Sequence, residues 1–150
     1  SLSDDASRLS GEVSRSAQTL DEMVVLGEHM SKLIEGVALS SFCEAVKLDH
    51  LLFKLAVYQR LFLHDSDMQL SSHTSCRLGQ WYQSSETQTM YGSNRSFQKL
   101  DEPHKDVHEQ AHQALHAAQT QNWSKVLQAI GEMETASAEV TRLLVDLAQS

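Results

Sequence analysis

Proline is nearly absent from this sequence: Pro103 is the only one in 150 residues, and the chain has just six glycines. Proline in a helix interior removes a backbone hydrogen bond, and glycine costs about 1 kcal/mol relative to alanine. Their scarcity favours long helices, and no stretch of useful length alternates apolar and polar residues as a half-buried strand does. The sequence therefore predicts an all-α fold, an antiparallel four-helix bundle with an N-terminal coiled-coil-like helical extension.

The N-terminal extension is predicted from a heptad seam, in which apolar side chains are spaced alternately by four and three residues. The seam runs through Leu2, Ala6, Leu9, Val13, Ser16, Leu20, Met23, Gly27, Met30, Ile34 and Val37. Such a seam needs a partner helix to cover it, although an amphipathic helix docked on its own bundle shows the same spacing. We therefore divide the chain into residues 1–39, a coiled-coil or linker helix, and residues 40–150, a bundle domain.

The bundle helices follow from apolar runs and capping residues. Residues 42–63 are apolar on nearly every face, which predicts a buried helix ending in the polar segment 64–73. A shorter helix is expected over about 75–83, followed by a loop over 84–95. Because proline is tolerated in the first turn of a helix, we expect the third bundle helix to run from Pro103 to about Gln121. Asn122 is suited to cap the last helix.

Charge and composition exclude several classes of protein. The chain has 12 Lys and Arg against 20 Asp and Glu, a net charge of −8. Nucleic acids and anionic membranes need a basic surface, so neither is an expected partner. No run of 18 apolar residues predicts a membrane span. Two cysteines are too few for a secreted disulfide framework, which favours a cytoplasmic location.

Histidine is the unusual residue of this composition, with eight copies. Four of them, His104, His108, His112 and His116, are spaced by four, so neighbours share a helix face while the first and last are about 120° apart. At most two or three of them can face one centre. An i, i+4 pair is the spacing by which one helix presents two imidazoles to a metal, although solvated surface histidines are the alternative.

Two further residues extend the histidine pair toward a metal site. His50 lies in the most apolar segment, where an unpartnered imidazole is costly, although a single hydrogen bond would satisfy it. Cys76 begins the short helix, where the helix N-terminus and Arg77 favour a thiolate, although a small buried thiol is an equal alternative. Cys43 is interpreted as a core residue. His50, Cys76 and two histidines of the third helix make four donors, which suits a closed, non-catalytic zinc site.

Three blocks of sequence resemble the chemoreceptor zinc-binding domain, a bacterial module of soluble chemoreceptors and some diguanylate cyclases. The blocks are KLDHLLFK (47–54), CRLGQWY (76–82) and LDEPHKDVH (100–108). The resemblance covers about residues 40–148. In place of the glycine-rich segment that often follows the tryptophan in this family, residues 84–95 contain only Gly92.

The resemblance implies a zinc site of three histidines and one cysteine, with the metal ligands His50, Cys76, His104 and His108. His112 and His116 are then surface residues or alternates. Asp49 and Trp81 are candidates for supporting the ligands, and Glu109 could be offered as the general base of a metal enzyme. Without an HExxH pattern, we do not expect an enzyme.

The family also implies a four-helix bundle that dimerises, so the expected partners are zinc, a second copy of the chain and an output domain of the same polypeptide. It implies sensing of zinc or of hypochlorous acid, with Cys76 as the redox switch. The chain begins with Ser rather than Met, which suggests a piece of a larger protein. A purely structural zinc-bound dimerisation module and the regulatory domain of a diguanylate cyclase remain the alternatives.

Overall fold

The computed structural model describes residues 1–63 and 69–150, which form helices and connecting loops with no strand. The helices are α1 (Leu2–Leu63), α2 (Arg77–Gln83), α3 (Ser85–Tyr91), α4 (Arg95–Gln119) and α5 (Trp123–Ala148). The predicted all-α fold is confirmed. Among the described residues, no helix combines the length and apolarity that a membrane crossing requires. The end of the helix predicted within 64–73 lies partly outside the described residues.

Internal contacts divide the chain into two units, Ser1–Leu39 and Ser40–Ser150. The first unit is one continuous stretch of helix from Leu2 onward, and its side chains are exposed up to Ala38. The apolar residues of the predicted seam are therefore open to solvent; Leu9, Val13 and Leu20 are each about 60% exposed. Within this unit the heptad seam has no covering helix.

The core of the second unit is built mainly from α4 and α5, which pack against each other. Their facing side chains follow helical spacing: Phe97, Leu100, Val107, Ala111 and Ala114 on α4, and Met133, Val140, Leu143, Leu144 and Leu147 on α5. A smaller buried stripe of α1 carries Cys43, Val46, His50, Val57 and Leu61. Two buried polar groups of this bundle, His104 and His108, lie on the same apolar face of α4.

The expectation that residues 42–63 are buried on nearly every face is wrong for the single chain. Only one stripe of this part of α1 is buried, and a second apolar stripe is exposed. Its side chains are 48–75% exposed and comprise Leu48, Leu51, Leu52, Leu55, Phe62 and Leu63. The physical reason is that the bundle of one chain covers one side of this helix.

The start expected for the third bundle helix at Pro103 is also wrong, because α4 begins eight residues earlier at Arg95. The Asn94 side chain accepts hydrogen bonds from the backbone N–H groups of Ser96 and Phe97, at 2.9 and 3.1 Å. Pro103 therefore lies inside the helix. Burial of Phe97 and Leu100 on the same face as the later core residues offsets the missing N–H of the proline. The segment expected to be a loop contains α3, capped by Ser84.

Candidate metal centre

Three histidines meet in the interior of the second unit. His50 comes from the buried stripe of α1, and His104 and His108 come from successive turns of α4. One ring nitrogen of each lies within 4.8 Å of those of the other two, and all three residues are buried. The ring centroids are 5.0 Å apart for His104 and His108 and 5.1 Å apart for His50 and His104. The structure thus brings together the three histidines that the sequence singled out as ligands.

The orientation of two of these rings is fixed by backbone carbonyls. His50 Nδ1 lies 3.0 Å from the Val46 carbonyl oxygen, and His108 Nδ1 lies 2.8 Å from the Ser71 carbonyl oxygen. A carbonyl only accepts, so Nδ1 of each ring carries the proton and Nε2 carries a lone pair. Both Nε2 atoms are buried and have no hydrogen-bond partner among the described residues. Such an arrangement, with one nitrogen anchored and the other free, is typical of metal-binding histidines.

Cys76 contacts the histidine cluster at His104. Its Sγ lies 3.2 Å from His104 Nε2 and accepts a hydrogen bond from the Gly79 backbone N–H at 3.4 Å. Cys76 is the N-cap residue of α2, and it lines one cavity together with His50 and His108. The fourth predicted ligand is therefore beside the three histidines, at the edge of the site where it is half-buried.

Burial keeps the histidines neutral. Desolvation, together with the charges of the neighbouring histidines, lowers the pKa of His104 to about 3 and that of His108 to about 4. Desolvation also lowers the pKa of His50. The pKa of the Cys76 thiol is raised by burial, against which the backbone N–H groups of Gly79 and Leu78 act. Neutral imidazoles are the form that binds metal, whereas the thiol must lose its proton, which a bound cation promotes.

The other candidate residues surround the site in different ways. Asp49 forms an ion pair with Arg77, with Arg77 Nε 3.0 Å from the Asp49 carboxylate, which links α1 to α2 beside Cys76. Trp81 packs against Phe42 and Phe97, with ring centroids 4.6 and 5.7 Å away. Asp49 thus joins the two helices at the edge of the site, while Trp81 contributes to an aromatic cluster.

The remaining candidates on α4 are exposed. His112 and His116 both point away from the buried face that carries His104 and His108. Glu109 is half-exposed and pairs with Lys105 at 3.5 Å. Neither histidine therefore contributes to the buried cluster.

Cys43, the second cysteine, is buried in the core as the sequence predicted. Burial raises the pKa of its thiol to about 11 and keeps it protonated. A protonated, enclosed thiol is a poor nucleophile and a poor metal ligand. Cys76 is thus the cysteine suited to the metal site.

Sequence reasoning missed a fifth group near the cluster, His73. Its ring centroid lies 6.3 Å from that of His104. His73 precedes Cys76 by three residues in an irregular segment, so helical spacing could not place it. The Ser71 carbonyl, which anchors His108, was likewise outside any side-chain pattern. The only sequence feature that could have pointed to His73 and Ser71 is that both lie close to Cys76 in the chain.

The residues present fit zinc by their chemistry. Three neutral imidazoles and one thiolate suit tetrahedral zinc, and they come from α1, from α4 and from the residue that caps α2. Two unpartnered buried nitrogens cost free energy in the metal-free protein, and a cation between them would remove that cost. The cluster therefore fits a metal site.

Comparison with protein families gives the same result. The family model of the chemoreceptor zinc-binding domain matches residues 50–115, a span that contains His50, Cys76, His104 and His108. The resemblance inferred from the three sequence blocks is thus confirmed over this span. No curated protein and no solved structure matched the chain.

Proposed function

We propose that this chain is a regulatory zinc-binding sensory domain of a cytoplasmic bacterial signalling protein, a chemoreceptor, and not an enzyme. The observation that carries the proposal is the pair of buried, unpartnered Nε2 atoms of His50 and His108 beside His104 and Cys76. Each of the two rings already uses Nδ1 on a backbone carbonyl. The free nitrogens therefore have a metal as their natural partner.

The residues that would hold the ion are His50, Cys76, His104 and His108. Bound zinc would supply a four-donor cross-link between α1, the start of α2 and α4. Structural zinc contributes about 10–16 kcal/mol in zinc-finger peptides, whereas whole domains are stable by about 5–15 kcal/mol. Gain or loss of the ion is therefore large enough to change how these helices pack. Because α1 also forms the first unit, an output domain would be reached through it.

Cys76 is the donor suited to a redox stimulus, because its sulfur is the only one of the four that oxidants readily attack. Hypochlorous acid converts a thiolate to sulfenic acid: the sulfur gains an OH group, loses two electrons, and chloride leaves. Sulfenic acid is a weaker ligand than a thiolate. Oxidation would thus lower zinc affinity without removing the three histidines.

Zinc affinity in matched variants tests this proposal. Purified protein is titrated with zinc against a chromophoric chelator, before and after hypochlorous acid, for the parent, His50→Ala and His112→Ala. We expect one zinc per chain, weaker binding after oxidation, loss of binding in His50→Ala, and parent affinity in His112→Ala. A parent that binds no zinc would overturn the metal site. Unchanged affinity after oxidation of Cys76 would leave a structural zinc module instead.

A further inference from the structure

His73 lies close enough to the histidine cluster to take part in it. The ring centroids within the cluster are 5.0, 5.1 and 6.1 Å apart, and the centroid of His73 is 6.3 Å from that of His104. The His73 side chain is half-buried, and its ring makes no hydrogen bond with the residues that the structure describes. A fourth imidazole therefore borders the site.

The turn that carries His73 also carries Cys76. Ser72 closes this turn: its carbonyl oxygen accepts hydrogen bonds from the backbone N–H groups of Ser75 and Cys76, at 3.2 and 3.1 Å. The Ser72 N–H donates in return to Ser75 Oγ at 2.9 Å. Cys76 Sγ lies 3.7 Å from the His73 carbonyl oxygen. Whatever holds Cys76 at the site consequently holds the backbone of His73 within reach of it.

The same segment is fixed to the site at a second point, since the Ser71 carbonyl accepts the hydrogen bond of His108 at 2.8 Å. Anchors at Ser71 and Cys76 thus flank His73 on both sides. His73 itself belongs to a loop, so its side chain is not committed to a helix face as those of His104 and His108 are. Rotation about its side-chain bonds, together with a shift of the 71–76 turn, can therefore bring a ring nitrogen closer to the site.

The chemistry of zinc permits an exchange of donors. Imidazole and thiolate both bind zinc in tetrahedral sites, so four nitrogens are an acceptable set when sulfur is lost. A sulfur that has been oxidised to sulfenic acid is a poorer donor. A histidine three residues away, on the same turn, can then occupy the position that the sulfur leaves.

We propose that His73 is a reserve zinc ligand, which replaces Cys76 as the fourth donor when the Cys76 thiolate is oxidised or removed. The inference rests on the proposed function, since it requires zinc at His50, His104 and His108. Its consequence is that oxidation weakens zinc binding and shifts the 71–76 turn without emptying the site. The exposed His112 serves as a control, because it lies one helical turn beyond His108 and outside the buried cluster.

Cobalt(II), whose spectrum reports its ligands, and zinc competition titrations test this assignment in the full 150-residue chain. The variants are Cys76→Ala, Cys76→Ala with His73→Ala, and Cys76→Ala with His112→Ala. We expect Cys76→Ala to lose the sulfur-to-cobalt charge-transfer band while keeping the strong visible bands of a tetrahedral site. Removing His73 as well should lower affinity by at least about tenfold, the smallest effect typical of outer-shell partners. Removing His112 should not.

A second arm uses proteins with Cys76 intact. After hypochlorous acid, the parent should retain zinc against a chelator that strips His73→Ala, whereas both proteins should bind zinc alike before oxidation. If removal of His73 leaves zinc affinity unchanged in both arms, water completes the site. That result would overturn the role of His73 as a reserve ligand but not the proposed function. A parent that binds neither metal would instead overturn the proposed function, so the two failures are distinct.

Discussion

Gly79 lies where the turn before α2 folds back over that helix. A side-chain carbon built on Gly79 would overlap the carbonyl carbon and oxygen of His73 and the Cα of Thr74. All of these are backbone atoms, so they could move only by shifting the 71–76 turn. The absence of a side chain at Gly79 therefore lets its N–H approach Cys76 Sγ closely enough to donate a hydrogen bond.

We accordingly expect Gly79→Ala to weaken zinc binding by about tenfold or more, the scale seen when groups that orient ligands are lost. Gly131→Ala is the matched control, because Gly131 lies within α5 with open space around it. There the extra methyl should raise the free energy of unfolding by about 0.5–1 kcal/mol and leave zinc affinity unchanged. Chelator competition measures the zinc affinities, and urea unfolding measures the free energies of unfolding. Parent affinity in Gly79→Ala would show that the turn tolerates the shift.

The buried histidines predict how the metal-free domain responds to pH. Burial lowers the pKa of His104 to about 3 and of His108 to about 4, whereas an unfolded histidine titrates near 6.5. Between these values the unfolded chain binds protons that the folded chain does not, so acidification favours unfolding. Each such group should cost about 1.4 kcal/mol per pH unit below about 6.5.

Urea unfolding with a chelator present, at pH 7, 6 and 5, measures this dependence above the range where carboxylates dominate. We expect stability to fall steadily across this interval, and more gently in His104→Asn, which lacks one of the groups. The exposed His116→Asn should follow the parent. A flat profile from pH 7 to 5 would contradict neutral, buried imidazoles in the folded protein.

At the level of helices, α1 and α5 are joined by a polar link. Glu134 of α5 accepts hydrogen bonds from Lys54 Nζ at 2.8 Å and from Tyr58 Oη at 2.6 Å, both on α1. Burial by itself would raise the pKa of Glu134, but these two hydrogen bonds outweigh it and lower the pKa. The link fixes the register of α1 on α5 close to the turn that carries His50.

Glu134→Ala should lower the free energy of unfolding by about 1 kcal/mol. This is below the roughly 1.5–3 kcal/mol typical of hydrogen bonds to charged groups, because the Glu134 side chain is 41% exposed. Glu139→Ala is the control, since its partner Arg142 lies on the same helix and both are exposed. In urea unfolding of the zinc-loaded proteins, only Glu134→Ala should show a lower free energy of unfolding than the parent. Equal losses would mean that the link between the helices adds nothing.

The helices also show which features sequence patterns can predict. Asn122 was correctly identified as the cap of α5, and its side chain accepts the Lys125 N–H at 3.2 Å. Asn94 plays the same part for α4, but Pro103 diverted the predicted start, because proline is most often found in a first turn. Helix α4 starts before Pro103 because Phe97 and Leu100 are buried. Their burial depends on α5, so the local sequence does not predict it.

For the whole molecule, the sequence and the family resemblance predicted which residues lie near each other, but not how they are arranged. Residue chemistry pointed to His50, Cys76 and two histidines of α4, and family resemblance selected His104 and His108 as that pair. The backbone carbonyls that decide which nitrogen of His50 and His108 is left free have no signature in sequence. His73 was missed for a related reason: its approach to His104 is set by a turn, not by a repeat.

The exposed apolar side chains of α1 lead to the expectation that two copies of the chain associate. In the second unit Leu48, Leu51, Leu52 and Leu55 follow i, i+3, i+4, i+7 spacing and are each about half-exposed. A stripe with this spacing is suited to pack against another helix, and each leucine contributes about 1.5–3 kcal/mol when fully buried. The heptad side chains of the first unit are exposed as well. Among the residues that the structure describes, each unit therefore leaves one apolar face of α1 uncovered.

We expect the parent to sediment as a dimer at micromolar concentration, and Leu51→Glu combined with Leu55→Glu to sediment as a monomer. Leu127→Glu is the matched control, because Leu127 is 73% exposed but lies on α5 rather than on α1, and it should leave the dimer intact. Helical content from circular dichroism separates dissociation from unfolding: the monomer should remain helical in its second unit. A parent that sediments as a monomer would show that another partner, or the solvent, covers α1, and the zinc site would then have to signal within one chain.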